Sequence, residues 1–149
     1  PHTVLSRAML AQILYALEGK PEVDDEKRFT DVEAGDWYAG AVAWAAENGL
    51  VSGVGDDRFA PHDALTREQM ALILYRYAQY KGYDVTARTE LSGYDDAGQV
   101  AAYAVEAMRW AIAEGLISGT GATALSPGGN ATRAQAAVIL TQFCQHIVE

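Results

Sequence analysis

A chain of 149 residues with a formal net charge of -9 is a poor candidate for unassisted binding to nucleic acid or to an anionic membrane. Half its residues are apolar and only 9% aromatic, with abundant alanine, a balance that suits close-packed helices better than a sheet. The lone cysteine, Cys144, excludes an internal disulfide and a cysteine zinc cluster and reads as a small core residue, and no apolar run is long enough for a membrane-spanning helix.

In chain order, the first element opens at Leu5-Ser6-Arg7-Ala8 and carries Leu10, Ile13, Leu14 and Leu17 at helical spacing. A polar linker, Gly19 to Arg28, follows. A second helix is predicted over about Trp37 to Asn48, with Val42, Ala45, Ala46 and Gly49 as its apolar stripe and Gly49 as its left-handed end. The loop Ser52-Gly53-Val54-Gly55 and a turn at Pro61 lead to a third helix, about Thr66 to Tyr80, with Met70, Ile73, Leu74 and Tyr77 facing inward. After the charged linker Lys81 to Gly93 the series repeats. A helix is expected over about Tyr103 to Glu114, then Gly115, the loop Ser118-Gly119-Thr120-Gly121, Pro127, and a helix from Thr132 to Ile147 with Ala136, Ile139, Leu140 and Phe143 inward.

Trp44 and Trp110, Gly49 and Gly115, Pro61 and Pro127, and Arg67 and Arg133 recur at one constant spacing, the signature of an internal repeat. The organisation expected is the second half of a repeat plus linker over 1–28, a complete repeat plus linker over 29–93, and a complete repeat over 94–149. A chain opening on the proline of a half-repeat reads as a fragment of a larger protein. Three helices of the second type are expected to pack as a central bundle, with the shorter helices outside.

A hydroxyl residue followed by arginine opens each of these three helices: Ser6-Arg7, Thr66-Arg67 and Thr132-Arg133. Thr66 with Gln69, and Thr132 with Gln135, form capping boxes; Met9 holds the reciprocal position in the first copy, so Ser6 is expected to cap alone. Capping does not explain the arginine, whose charge at the first helical position opposes the helix macrodipole. A guanidinium beside free helix amides makes an anion site. The alternative is that each arginine pairs with an acid such as Asp31 or Asp96.

Trp37 could stack on a sugar ring or anchor the second helix in the core, whereas Trp44 and Trp110 read as core. Asp56-Asp57 reads as a solvated turn, since its spacing fits no calcium loop. His2, His62 and His146 are scattered, with neither a metal-ligand pair nor a nucleophile beside them, so no metal, cofactor or catalytic triad is expected. Asn130-Ala131-Thr132 matches a glycosylation acceptor, although Thr132 already has a capping role. Tyr75, Tyr77, Tyr80 and Tyr83 are expected at groove or interface edges.

These motifs resemble the S-layer homology repeat. The second repeat shows Phe29-Thr30-Asp31, Trp37-Tyr38, Ala41-Val42, Gly49-Leu50-Val51-Ser52-Gly53, Phe59-Ala60-Pro61 and Leu65-Thr66-Arg67-Glu68. The third shows Tyr94-Asp95-Asp96, Tyr103, Gly115-Leu116-Ile117-Ser118-Gly119, Leu125-Ser126-Pro127 and Thr132-Arg133-Ala134. The resemblance implies an all-α, pseudo-threefold bundle of helix-loop-helix repeats. It also implies a non-catalytic module that anchors a secreted protein on a bacterial cell wall or surface. The implied ligand is a secondary cell-wall polysaccharide with a pyruvylated terminal sugar. Arg7, Arg67 and Arg133 would meet its carboxylate. Asp31, Asp96 and the loops at Ser52, Gly53, Ser118 and Gly119 would meet its hydroxyls, with Trp37 beside them. A degenerate scaffold used for protein interaction or dimerisation is the alternative, and a second chain or an upstream segment could complete the first repeat. The chain departs from the family pattern where Met9, Gln69 and Gln135 replace its glutamate. Its third repeat also has Tyr103 in place of tryptophan, Ala122-Thr123 in place of the acidic turn, and Leu125 in place of Phe59. Arg67 is the best supported of the arginines, because only its repeat keeps the aspartate, the tryptophan and the acidic turn together.

Overall fold

A computed structural model describes residues 4–22, 29–33, 35–51, 57–117, 125 and 127–146. The fold is all-α, as expected. Its helices are α1 (Arg7–Leu17), α2 (Ala39–Glu47), α3 (Arg67–Lys81), α4 (Val105–Ala113) and α5 (Arg133–His146), with short 3-10 turns at Ala97–Gln99 and Ala102–Ala104. Among the described residues, extended pairing is limited to the isolated bridges Val4 with Thr132, Ser6 with Ala64, and Thr66 with Asn130.

Local chemistry sets the helix ends. The Gln69 amide donates to Thr66 Oγ1 at 3.2 Å, and the Thr66 amide to Gln69 Oε1 at 3.0 Å. Thr132 and Gln135 repeat the exchange at 3.1 and 3.0 Å. The first copy departs from expectation. Ser6 Oγ accepts from the Met9 amide at 3.2 Å, and the Ser6 amide in turn approaches Met9 Sδ at 3.4 Å. A thioether is a weak acceptor, so it closes the box where no amide oxygen is present. Gly49 and Gly115 both stand at φ 73°, where a side chain would be strained, and they turn the chain away from α2 and α4.

The chain forms two compact units, Leu5–Ala64 on the one hand and Pro1–Val4 with Leu65–Glu149 on the other. Each pairs the second helix of one repeat with the first helix of the next, so packing is out of phase with the sequence repeat. In the first unit α1 packs on α2, with the Tyr15 ring 5.6 Å from Trp44. In the second α3 packs on α4, with Tyr75 5.5 Å from Trp110. Leu10, Leu14, Val42 and Phe59 fill one core; Met70, Leu74, Met108, Trp110 and Phe143 fill the other. Trp44 and Trp110 are core residues, as read from their stripe. The stripes are narrower than expected: Gly49 and Leu17 are exposed, and Ile13, Ala46 and Leu140 are only partly covered. Tyr77 is buried against Phe143 rather than at an edge, whereas Tyr80 is exposed.

The linker after α3 is tied to α4. Arg88 bonds Tyr75 Oη at 2.8 Å and Glu106 at 3.2 Å, and Arg109 bonds Glu106 at 3.2 Å and Glu90 at 2.9 Å.

Met9→Gln should stabilise the first unit by several tenths of a kcal/mol, and Thr66→Ala should cost the second about 1 kcal/mol. Denaturant titration of both variants reads these changes.

Candidate functional site

The arginines of α1 and α3 sit at the first helical position and are buried, Arg7 to 8% exposure and Arg67 to 7%. Each sends its Nε to the carbonyl of the residue two before the next proline. Arg7 Nε donates to Phe59 O at 2.9 Å, and Arg67 Nε to Leu125 O at 3.0 Å. The amide of that same residue donates to the aspartate that opens its repeat: Phe59 N to Asp31 Oδ1, and Leu125 N to Asp96 Oδ1, both at 2.8 Å. One residue is thus gripped on both sides, by a cation on its carbonyl and an anion on its amide. The geometry occurs twice, in equivalent positions.

The helix amides expected to be free for an anion are occupied. Arg7 N and Ala8 N donate to Asp63 O and Pro61 O at 3.1 and 3.0 Å; Arg67 N and Glu68 N donate to Gly129 O and Pro127 O at 2.9 and 3.1 Å. The turn after each proline delivers two carbonyl oxygens to the positive end of the preceding repeat's helix. Those dipoles make a cation at the first helical position tolerable. In the first unit the guanidinium also lies 4.7 Å above the Phe59 ring.

Asp31 does a second task. Its Oδ2 accepts from the Ala60 amide at 2.8 Å. Ala60 stands at φ 59°, a left-handed conformation that costs a residue with a Cβ about 1–2 kcal/mol. The bond on its own amide anchors one of the two peptides that flank it. Burial alone would raise the Asp31 pKa, but the amides of Phe59 and Ala60, together with Arg58 3.8 Å away, bring it below the usual carboxylate value. Burial likewise pulls the Arg67 pKa down, opposed by the charge of Asp96.

Arg133, at the equivalent point of α5, is exposed. Trp37 is not a core anchor: it is 60% exposed and rests edge-on against Tyr38, with centroids 5.0 Å apart. Its counterpart Tyr103 is 57% exposed. Ser52, Gly53, Ser118 and Gly119 lie outside the described residues, as does Asp56. Among the described residues no His, Cys, Asp and Glu cluster could hold a metal ion, and no helix is long and apolar enough to cross a membrane.

Sequence reasoning missed Phe59 and Leu125 as the gripped residues; their constant place before a proline was the available signal. It also missed Glu68, which is buried and accepts from the Ala101 amide at 3.0 Å. The equivalent residues Ala8 and Ala134 give no hint of that role.

Comparison with known proteins bears directly on these repeats. The S-layer homology domain model matches residues 28–71 and 93–137. The chain is 34% identical over 99% of its length to a surface-layer 125 kDa protein of Lysinibacillus sphaericus. It is 34% identical over 94% to an amylopullulanase of Thermoanaerobacterium thermosulfurigenes, and 26% identical over 95% to a cellulosome-anchoring protein of Acetivibrio thermocellus. It spans only 12%, 8% and 32% of the lengths of these relatives.

Asp31→Asn should cost the first unit about 1–3 kcal/mol at neutral pH. Because the folded pKa is the lower one, this stability is present above the unfolded value of about 3.8 and fades as pH falls through the folded value. The gap between wild type and variant should therefore close in acid, read by urea titration across that range.

Proposed function

This chain belongs to the S-layer homology domain family, and on that premise we propose that it holds a larger protein on the bacterial cell wall by binding an anionic secondary cell-wall polysaccharide. Membership places it at the cell surface or cell wall, as a non-catalytic anchoring module. The finer proposal is that the polymer's charge is carried by pyruvylated sugar.

The observation that carries this reading is the exposure of Trp37 and Tyr103 at equivalent points of both complete repeats. The same fold buries its other two tryptophans. A flat ring left in water, held by Tyr38 beneath it in one repeat, suits the apolar face of a sugar. Asp31 supports the proposal as an orienting acceptor: each carboxylate oxygen binds one amide and retains a lone pair for a sugar hydroxyl. Asp96 takes the equivalent place in the third repeat, and the loops at Ser52-Gly53 and Ser118-Gly119 are proposed to supply backbone contacts. The carboxylate of the ligand is assigned to arginine. Arg133 offers an exposed guanidinium, while Arg7 and Arg67 contribute positive potential from beneath the surface. In a chain of net charge -9, such local cations are needed to bring in an anionic polymer.

Calorimetry with a pyruvylated disaccharide terminus tests the proposal. Trp37→Ala is expected to weaken binding about tenfold or more with the melting curve unchanged, since little of the indole is packed. Equal affinity for the depyruvylated sugar would remove the anionic part. Undiminished binding in a Trp37→Ala, Tyr103→Ala double variant would remove the stacking site.

A further inference from the structure

The buried ring that carries Trp37 carries a second exposed ring. Tyr38 is 4% exposed, and the His62 imidazole meets it at an interplanar angle of 89°, with centroids 5.4 Å apart. Trp37 meets the same phenol at 89° and 5.0 Å. His62 belongs to the turn after Pro61 and is exposed. Two rings left in water are thus fixed to one phenol inside the first unit.

The imidazole is oriented as well as placed. Its Nε2 lies 3.4 Å from Tyr38 Oη. Burial, then a hydrogen bond to Asp36 and the charge of that carboxylate, then the charge of Asp31, raise the Tyr38 pKa. The phenol therefore keeps its proton and points it at Asp36, which is itself anchored by the Glu33 amide 2.8 Å from Oδ2. With its proton given to Asp36, the phenol oxygen is left to accept. That order puts the imidazole N–H on Nε2 and a lone pair on Nδ1. The series from Glu33 to His62 ends in a fixed acceptor at the surface.

The third repeat lacks this arrangement as a set. At the matching offset it has Ala102, Tyr103, Ala104 and Gly128 where the second repeat has Asp36, Trp37, Tyr38 and His62. The exposed ring is kept, while the phenol beneath, its carboxylate partner and the imidazole are absent together. Crowding does not decide this at the imidazole position, because a Cβ on Gly128 would meet nothing within 4 Å. Nor does the core need His62, which stays in water.

We propose that His62 is a ligand-contact residue of the Trp37 site, accepting at Nδ1 a hydroxyl of the sugar that stacks on the indole, and that this makes the ring of the second repeat the principal sugar subsite. An indole holds the apolar face of a sugar without choosing among its hydroxyls. A fixed acceptor on the same phenol does choose, because a sugar lacking the matching hydroxyl leaves it unpaired. Tyr103 has no such acceptor and holds sugars with less discrimination. The proposal rests on the reading of Trp37 as a stacking ring, and it adds a separate atom to that site.

Calorimetry of the full chain with the pyruvylated disaccharide terminus tests it. His62→Leu keeps bulk and loses the acceptor. It should weaken binding about three- to tenfold, the worth of one hydrogen bond. Its melting temperature should move by no more than about 1 °C, because the site is exposed. His62→Asn carries an amide oxygen on the carbon that bears Nδ1 in histidine, and it should recover most of the loss. Wild-type affinity in His62→Leu, beside weakened binding in Trp37→Ala, overturns the proposal and leaves the stacking reading in place. An asparagine variant no better than the leucine variant also overturns it. Undiminished binding in Trp37→Ala removes the stacking reading, and this proposal with it.

Discussion

The interaction on which both units depend is the grip on a single residue, Phe59 in one and Leu125 in the other, between an arginine and an aspartate from different repeats. A buried guanidinium is tolerated only where its charge and donors are answered. Here a carbonyl answers Nε, and Asp96 supplies an opposing charge beside Arg67. Asp31 is only partly buried, and two amides answer its carboxylate. The grip also sets register: it brings the turn after each proline to the helix N-terminus of the preceding repeat, where its carbonyls satisfy the first amides.

From this register follows the exchange of helices between repeats. α1 is covered by α2 and α3 by α4, in each case the second helix of one repeat by the first helix of the next. The tyrosine–tryptophan contact recurs in both units with nearly the same separation, 5.6 and 5.5 Å. Beyond that shared frame the units diverge. The second unit adds Phe143 against Tyr77 and Trp110, and it ties its linker down with Arg88, Arg109, Glu90 and Glu106. Pairs this exposed contribute little one at a time. Their consequence is positional: Arg88 covers the outer side of Tyr75, the ring that meets Trp110 within.

The same frame explains where function can reside. Residues that repeat most exactly, the arginines and aspartates, are committed first to the fold in both units. What the fold leaves in water at equivalent positions is aromatic: Trp37 and Tyr103. A wall-anchoring surface built this way would hold sugars by stacking and orientation, with charge supplied from just below and from Arg133.

Much of this was legible in one dimension. Helical spacing in Met70-Ile73-Leu74-Tyr77 and the Thr66–Gln69 and Thr132–Gln135 boxes depend on neighbours three or four residues away, so sequence alone determined the helices, their caps and the glycines that end them. Recurrence at constant spacing determined the repeat and its family. The role of the arginine was another matter. Its partners, Phe59 O and Leu125 O, lie far along the chain, and no local pattern says whether a cation will face solvent or a carbonyl. Nor could spacing say that Trp37 is exposed while Trp44 is buried, or that Met9 would close a capping box through sulfur. Those outcomes belong to the tertiary structure, because burial and long-range hydrogen bonding are decided by which segments pack together, not by what stands next to a residue in sequence.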